Sequence, residues 1–129
     1  VDQMQLAELV LQQFGWKKLI PQVKEQIAAL KSLTAPKTIS TIGLALYTAF
    51  PDEASRWEAF HRLAEHPSDV VRSWAAWMVG HSSRQIEKKL PLLLPLASDR
   101  NMGVREIAWM AIREDISTAP AHCIAKLSK

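Results

Sequence analysis

Apolar residues return every three or four positions along most of the chain, which is the spacing of amphipathic helices. Leu19, Val23, Ile27 and Leu30, for example, form one stripe within a helix predicted over 16–33. Polar and proline-containing turns separate such stripes. The predicted helices cover 2–14, 16–33, 36–50, 52–65, 68–81, 83–98 and 101–114, with a weaker one over 117–129. The pattern therefore predicts an all-α fold.

The chain also repeats itself. Residues 62–80 align without a gap on residues 95–113, thirty-three positions later, and Arg72 falls on Arg105. Apolar positions coincide with apolar positions across this alignment. A fixed period of this size is typical of helical solenoids. We therefore predict a right-handed α-α superhelix built from antiparallel helix pairs.

The period divides the chain into repeats within a single domain, 1–129. The two clear units are 52–81 and 83–114, and 16–50 is expected to be a degenerate earlier repeat. Within the second unit, Pro91 and Pro95 are expected to kink the first helix. The chain has no initiator methionine and ends after a short helix that no further repeat covers, so we expect a piece of a longer protein.

Composition narrows the class of protein. With 129 residues, 48% hydrophobic and 22% charged, the chain is typical of a soluble globular domain. No apolar run approaches the roughly 20 residues that span a bilayer, and no signal peptide is evident, so we predict a cytoplasmic protein without a membrane partner. Cys123 is the single cysteine, and the four histidines show no zinc spacing, so neither a metal nor a cofactor is predicted. A net charge of +3 permits a polyanionic partner.

One line of side chains suggests a binding surface. Arg105, Trp109 and Arg113 are four residues apart on the second helix of a repeat, which places them one above another. Trp109 aligns with Ala76, so core packing does not require it. Guanidinium groups suit phosphates, and an indole suits a base or a cationic ring. Because stacked repeats align equivalent faces, we predict one concave surface that contains Tyr47, Asp69, Arg72, Arg105, Trp109 and Arg113.

Several of these positions also have a structural interpretation. A partly buried arginine normally needs a partner, so in this interpretation Arg72 and Arg105 each pair with an acid of their own or an adjacent turn. Asp99, six residues before Arg105, fits that pattern. Trp74 and Trp77 occupy positions that aliphatic residues take in the next repeat, which predicts core packing.

The segments HPSDVVRSWAAWMVG and LASDRNMGVREIAWMAIR carry a resemblance to known proteins. In each segment the second predicted helix of the unit opens with V-R-x-x-A, which resembles the HEAT repeat. The two segments look like the bacterial HEAT-like DNA alkylation repair proteins, the alkylpurine DNA glycosylase superfamily. The likeness covers about residues 52–114.

This resemblance implies binding of double-stranded DNA that carries N-alkylated purines, and metal-independent hydrolysis of the N-glycosidic bond. Asp69 would then be the catalytic carboxylate and Trp109 the aromatic partner of the base, with Arg72, Arg105 and Arg113 on phosphates. Two other functions remain open. One is a DNA-binding relative without hydrolysis, and the other is a noncatalytic HEAT scaffold that binds a protein or peptide on its concave face.

Overall fold

A computed structural model describes residues 2–30, 34–82 and 86–118, and every regular element in these ranges is helical. The elements are α1 Gln3–Gln13, a 3₁₀ turn Lys17–Leu19, α2 Ile20–Ala28, α3 Ala35–Ala49, α4 Glu53–Ala64, α5 Asp69–Gly80, α6 Ile86–Ala97 and α7 Met102–Thr118. The all-α class is confirmed for the described residues.

Local chemistry explains where several helices begin and end. The Asp2 carboxylate accepts hydrogen bonds from the backbone amides of Met4 and Gln5 at the start of α1. Asp52 caps α4 in the same way, with the Ser55 amide 2.8 Å away. Gly15 adopts a φ of +77°, which a residue with a side chain rarely does, and so turns the chain out of α1.

Three helices differ from their predictions, either in where they begin and end or in how prolines affect them. The helix predicted over 16–33 is a 3₁₀ turn followed by the shorter α2, because Pro21 has to lie in a first turn. α6 is one helix despite Pro91 and Pro95, and both prolines are exposed, so water can reach the carbonyls that lose a backbone donor. α7 continues to Thr118, past its predicted end at 114. The helix predicted over 117–129 lies outside the described residues from position 119 onwards.

α5 is the central helix of the fold. Every side chain from Val71 to Gly80 is buried, and α5 packs against α3, α4, α6 and α7. Trp74 and Trp77 belong to this core, which confirms the prediction from their repeat positions. Burying an indole removes a large apolar area from water, worth about 3 kcal/mol for a full side chain.

α5 and α7 are neighbours that run in the same direction. At their starts, the Asn101 amide donates to the Asp69 carboxylate at 3.3 Å. Towards their ends, a Cβ added to Gly80 would lie 3.0 Å from the Cβ of Ala111. These contacts join residues that are about thirty-three positions apart, so the alignment of 62–80 with 95–113 corresponds to adjacent parallel helices.

α3 packs antiparallel to α5. Ser40, early in α3, meets His81 after the end of α5, whereas Gly43 one turn later lies against Trp77 and the carbonyl of Trp74. A thirty-three-residue step would instead set Ser40 beside Ser73. The register predicted for 16–50 as a degenerate repeat is therefore not the one observed. The missing side chain of Gly43 lets α3 approach the Trp77 backbone closely, which favours this other arrangement.

Candidate binding surface on the last helix

Arg72 lies inside the protein, where its guanidinium donates four hydrogen bonds. It is 4% exposed, and its Nε and Nη2 donate to the two carboxylate oxygens of Asp99 at 2.8 and 3.0 Å. Its Nη1 donates to the carbonyls of His66 and Pro67, both at 2.9 Å. The structural interpretation of Arg72 is confirmed, with Asp99 as its partner. Arg72 does not lie on a surface that a DNA phosphate can reach.

Arg105 repeats half of this arrangement. Its Nη1 donates to the carbonyl of Asp99 at 2.8 Å, just as Arg72 donates to the carbonyl of His66, thirty-three residues earlier. The Asp99 carboxylate, which the sequence suggested as a partner for Arg105, belongs to Arg72 instead. No other carboxylate within the described ranges pairs with Arg105, whose side chain is half-buried. The Nε and Nη2 edge of this guanidinium therefore has no carboxylate partner among the described residues.

Four side chains form an exposed stripe along α7, which we term the α7 outer face: Met102, Glu106, Trp109 and Arg113. Their spacing of four, three and four residues places them on one side of the helix. Met102 is 64% and Trp109 42% exposed. The opposite side of α7 carries Val104, Ala108 and Ala111, which are buried in the core. Arg105 borders the outer face one turn before Trp109.

The corresponding stripe on α5 is covered. One repeat before Glu106, Trp109 and Arg113 stand Ser73, Ala76 and Gly80, and all three are buried. Gly80 lies against Ala111, so α7 covers the stripe at this position. The predicted concave surface therefore does not continue from α7 onto α5. The stripe on α5 is therefore buried, whereas the equivalent stripe on α7 is exposed.

Asp69, the candidate catalytic carboxylate, is the first residue of α5 and is exposed. Within the described part of the chain its side chain has one hydrogen bond, the 3.3 Å contact from the Asn101 amide. A negative charge in this first turn is favourable, because the helix dipole is positive there. Its catalytic role stays a prediction.

Tyr47 lies in a different cluster. The Arg56 guanidinium is 4.4 Å from the centroid of its ring, and the Trp57 ring is 6.3 Å away. Both neighbours belong to α4, so Tyr47 joins α3 to α4 and its aromatic face is already occupied by a cation. Arg105, Trp109 and Arg113, in contrast, all lie on α7.

The structure also brings together a serine and a histidine that are 41 positions apart. Ser40 Oγ lies 2.9 Å from His81 Nε2, and the same nitrogen is 3.2 Å from the Ser40 carbonyl. A carbonyl only accepts hydrogen bonds, so this contact favours a proton on Nε2. With that proton in place, Nε2 does not serve as a base for the hydroxyl. No local motif signals the pair, because Ser40 belongs to α3 and His81 follows the end of α5.

A groove of about 790 Å³ lies between α1 and α4 and is lined mainly by Leu6, Leu9, Phe14, Arg62 and His66. The Arg62 guanidinium is 4.6 Å from the centroid of the Phe14 ring and 5.3 Å from that of Trp16. Its charge is therefore directed at two aromatic faces of the protein itself.

Comparison with protein-family models, with curated proteins and with solved structures found no match to this chain. Across the described ranges, no set of three or more histidine, cysteine, aspartate or glutamate side chains is arranged to hold a metal ion. A search of the same residues also found no helix with the length and apolar character to cross a membrane. Function therefore has to be argued from the surfaces described above.

Proposed function

We propose that this protein is a noncatalytic helical-repeat scaffold that binds a protein partner through the α7 outer face. In this proposal α4–α5 and α6–α7 are successive units of a right-handed α-α superhelix. The parallel contact of α5 with α7, at a spacing of thirty-three residues, supports the repeat arrangement.

The observation that carries the proposal is the change of residue size between two equivalent faces. Where α5 is covered, it presents Ser73, Ala76 and Gly80, whereas α7 presents Glu106, Trp109 and Arg113 at the same positions. Small residues let a neighbouring helix approach, and α7 has none of them there. A large indole left 42% exposed between two arginines is the composition of a binding hot spot rather than of a solvated face.

Charge favours a protein over a nucleic acid as the partner. Among the described side chains of α7, the acidic Glu106 lies between Arg105 and Arg113 along the helix and is exposed. Asp69 is also exposed next to the start of this helix. A DNA backbone requires a surface with excess positive charge, because phosphate neutralisation supplies most of the affinity. A mixed surface with an aromatic centre is instead typical of protein interfaces.

The proposal is tested by selecting binders from a displayed library of two-helix hairpins, with the full chain as bait. Their dissociation constants are then measured for the wild type, for Trp109→Ala and for Leu94→Ala. Leu94 on α6 is 43% exposed, so its removal deletes a similarly exposed apolar side chain elsewhere. We expect Trp109→Ala to weaken binding by about tenfold or more, and Leu94→Ala by less than about twofold. Hairpins that bind Trp109→Ala as tightly as the wild type contradict the proposal.

The DNA-repair function implied by the sequence resemblance stays a prediction, and the same protein samples test it. A fluorescent duplex, with and without a stable alkylated-base analogue, is titrated into the wild type and into Arg105→Ala/Trp109→Ala over a salt series. Binding that falls steeply with salt and is lost in the double variant supports DNA and contradicts a protein partner. Base release that Asp69→Asn abolishes while binding persists supports catalysis.

A further inference from the structure

The turns before α5 and α7 are built in the same way. The Nδ1 of His66 accepts the backbone amide of Ser68 at 3.0 Å, and Oδ1 of Asp99 accepts that of Asn101 at 2.9 Å. Each side chain therefore accepts a hydrogen bond from the backbone amide two positions further along the chain, which closes the turn before the helix. His66 and Asp99 are thirty-three residues apart and are equivalent members of the repeat.

The arginine of each repeat uses the same turn. Nη1 of Arg72 donates to the His66 carbonyl, and Nη1 of Arg105 donates to the Asp99 carbonyl, at 2.9 and 2.8 Å. These bonds hold each guanidinium against the start of its own helix, with the Nε and Nη2 edge pointing away from that carbonyl. The orientation of Arg105 is thus set before any partner arrives.

The two arginines differ in what fills this remaining edge. For Arg72 it is the carboxylate of Asp99, which comes from the turn of the following helix pair and forms two parallel hydrogen bonds. For Arg105 no carboxylate fills it within the described residues. The interior of the protein therefore contains a filled copy of a site that is open on α7.

We infer that the open edge of Arg105 receives a carboxylate from the interhelical turn of a partner protein, in the geometry that Asp99 adopts on Arg72. This inference rests on the proposed function and specifies the chemistry of the partner. The partner is a helical hairpin with aspartate or glutamate in its turn, close to the first residue of its second helix. That position is where Asp99 stands relative to α7.

The rest of the α7 outer face constrains the same partner. Ala111 approaches α5 closely because Gly80 has no side chain, but Arg113 replaces that glycine on α7 and Trp109 replaces Ala76. A partner helix must therefore lie farther from α7 than α7 lies from α5, with the Trp109 indole filling the space between them. The partner is expected to present an apolar side chain to Trp109, about one helical turn from its acidic turn residue.

The experiment uses two hairpin libraries that are identical except for one fixed turn residue, aspartate in the first and asparagine in the second. Both are displayed and selected on the full chain, and each selected binder is remade with the other turn residue. The inference predicts binders mainly from the aspartate library. It also predicts that aspartate-to-asparagine exchange in a binder weakens its affinity for the wild type by about tenfold, typical of a charge-assisted bidentate contact.

Variants of the chain locate the carboxylate. The effect of the exchange should shrink to less than about twofold on Arg105→Gln, since the two changes remove the same contact. Arg105→Lys keeps the positive charge but lacks the two parallel N–H donors of a guanidinium, so it is expected to retain only part of the effect. Lys88→Gln removes an exposed cation from α6 and should leave the tenfold effect intact. The aspartate-to-asparagine exchange is made in the hairpin, and its effect on affinity is measured with the unaltered protein. The test therefore does not depend on whether the Arg105 variants fold.

The outcomes separate this inference from the proposed function. Binders that need Trp109 but tolerate asparagine equally well overturn the carboxylate assignment and leave the scaffold function standing. No binder from either library above background overturns the proposed function, and the inference with it. A DNA duplex that displaces the hairpins with steep salt dependence overturns the choice of a carboxylate over a phosphate.

Discussion

Arg72 and Asp99 form a two-bond salt bridge across the junction of the two helix pairs, with Nε–Oδ2 and Nη2–Oδ1 distances of 2.8 and 3.0 Å. Both side chains are at most 10% exposed. Because Arg72 lies in the first turn of α5 and Asp99 in the turn before α7, this bridge joins the two parallel helices at their starts. It also removes Arg72 from the set of residues that are available to a ligand.

Removing one partner of this bridge is expected to be costly. Asp99→Asn leaves the Arg72 guanidinium buried without a counter-charge and should lower the free energy of unfolding by about 3 kcal/mol. Urea denaturation measures the loss. Glu58→Gln removes an exposed carboxylate on α4 and should change stability by less than about 0.5 kcal/mol. Equal stability of Asp99→Asn and the wild type would show that the bridge contributes nothing net.

The bridge also predicts a loss of stability in acid. Burial by itself raises the pKa of Asp99, but the hydrogen bonds from Arg72 and the Asn101 amide, with the charge of Arg72, hold the pKa below its ordinary 3.8. The stabilisation is therefore complete above pH 3.8 and is lost as the pH falls through the lower pKa of the folded state. Stability curves of the wild type and Asp99→Asn should converge below pH 3.8. Curves that stay parallel down to the lowest pH reached contradict this.

His66 predicts a second, higher pH window. Burial, and then the positive charge of Arg72, hold the pKa of His66 below its ordinary 6.5. Protonation is therefore easier in the unfolded chain, so stability is complete above pH 6.5 and declines as the pH falls towards the folded-state pKa, by at most about 1.4 kcal/mol per pH unit. His66→Asn keeps an acceptor for the Ser68 amide and cannot gain this charge. Its stability should fall less between pH 6.5 and 5, and an unchanged slope would refute the role of His66.

The packing of α3 on α5 depends on Gly43. An added Cβ would lie 2.5 Å from the Cβ of Trp77 and 3.0 Å from the Trp74 carbonyl, and neither atom is the end of a flexible side chain. Gly43→Ala should lower the free energy of unfolding by about 2 kcal/mol, since overpacking outweighs the gain in helix propensity. Gly103→Ala meets only Asn101 Oδ1, at 3.1 Å, and should change stability by less than about 1 kcal/mol. Thermal unfolding compares the two, and a Gly43→Ala protein as stable as Gly103→Ala would mean that α3 moves freely on α5.

The periodicity of apolar residues was enough to predict the all-α class and most of the helices. Trp74 and Trp77 illustrate why, since aliphatic residues one period later mark their positions as core. Hydrophobic spacing reports which side of a helix is buried, because burial of apolar area is the dominant local constraint. The same spacing predicted that Arg105, Trp109 and Arg113 share one side of α7.

Spacing along one helix does not identify what lies opposite that helix. Asp99 is six residues from Arg105 and twenty-seven from Arg72, yet its carboxylate pairs with Arg72, because the turn before α7 lies next to the start of α5. The packing of α3 on α5 is not encoded by the period either, since it depends on a close approach that one glycine allows.

The sequence alone determined the helical class, the thirty-three-residue step and the residues available for a surface on α7. Only the tertiary structure decided which equivalent side chains are covered, since it buries Arg72 against Asp99 and gives Arg105 no carboxylate partner among the described residues. The physical reason is that helical periodicity is a local property of the chain, whereas burial and charge pairing depend on which neighbouring element comes within a few ångströms.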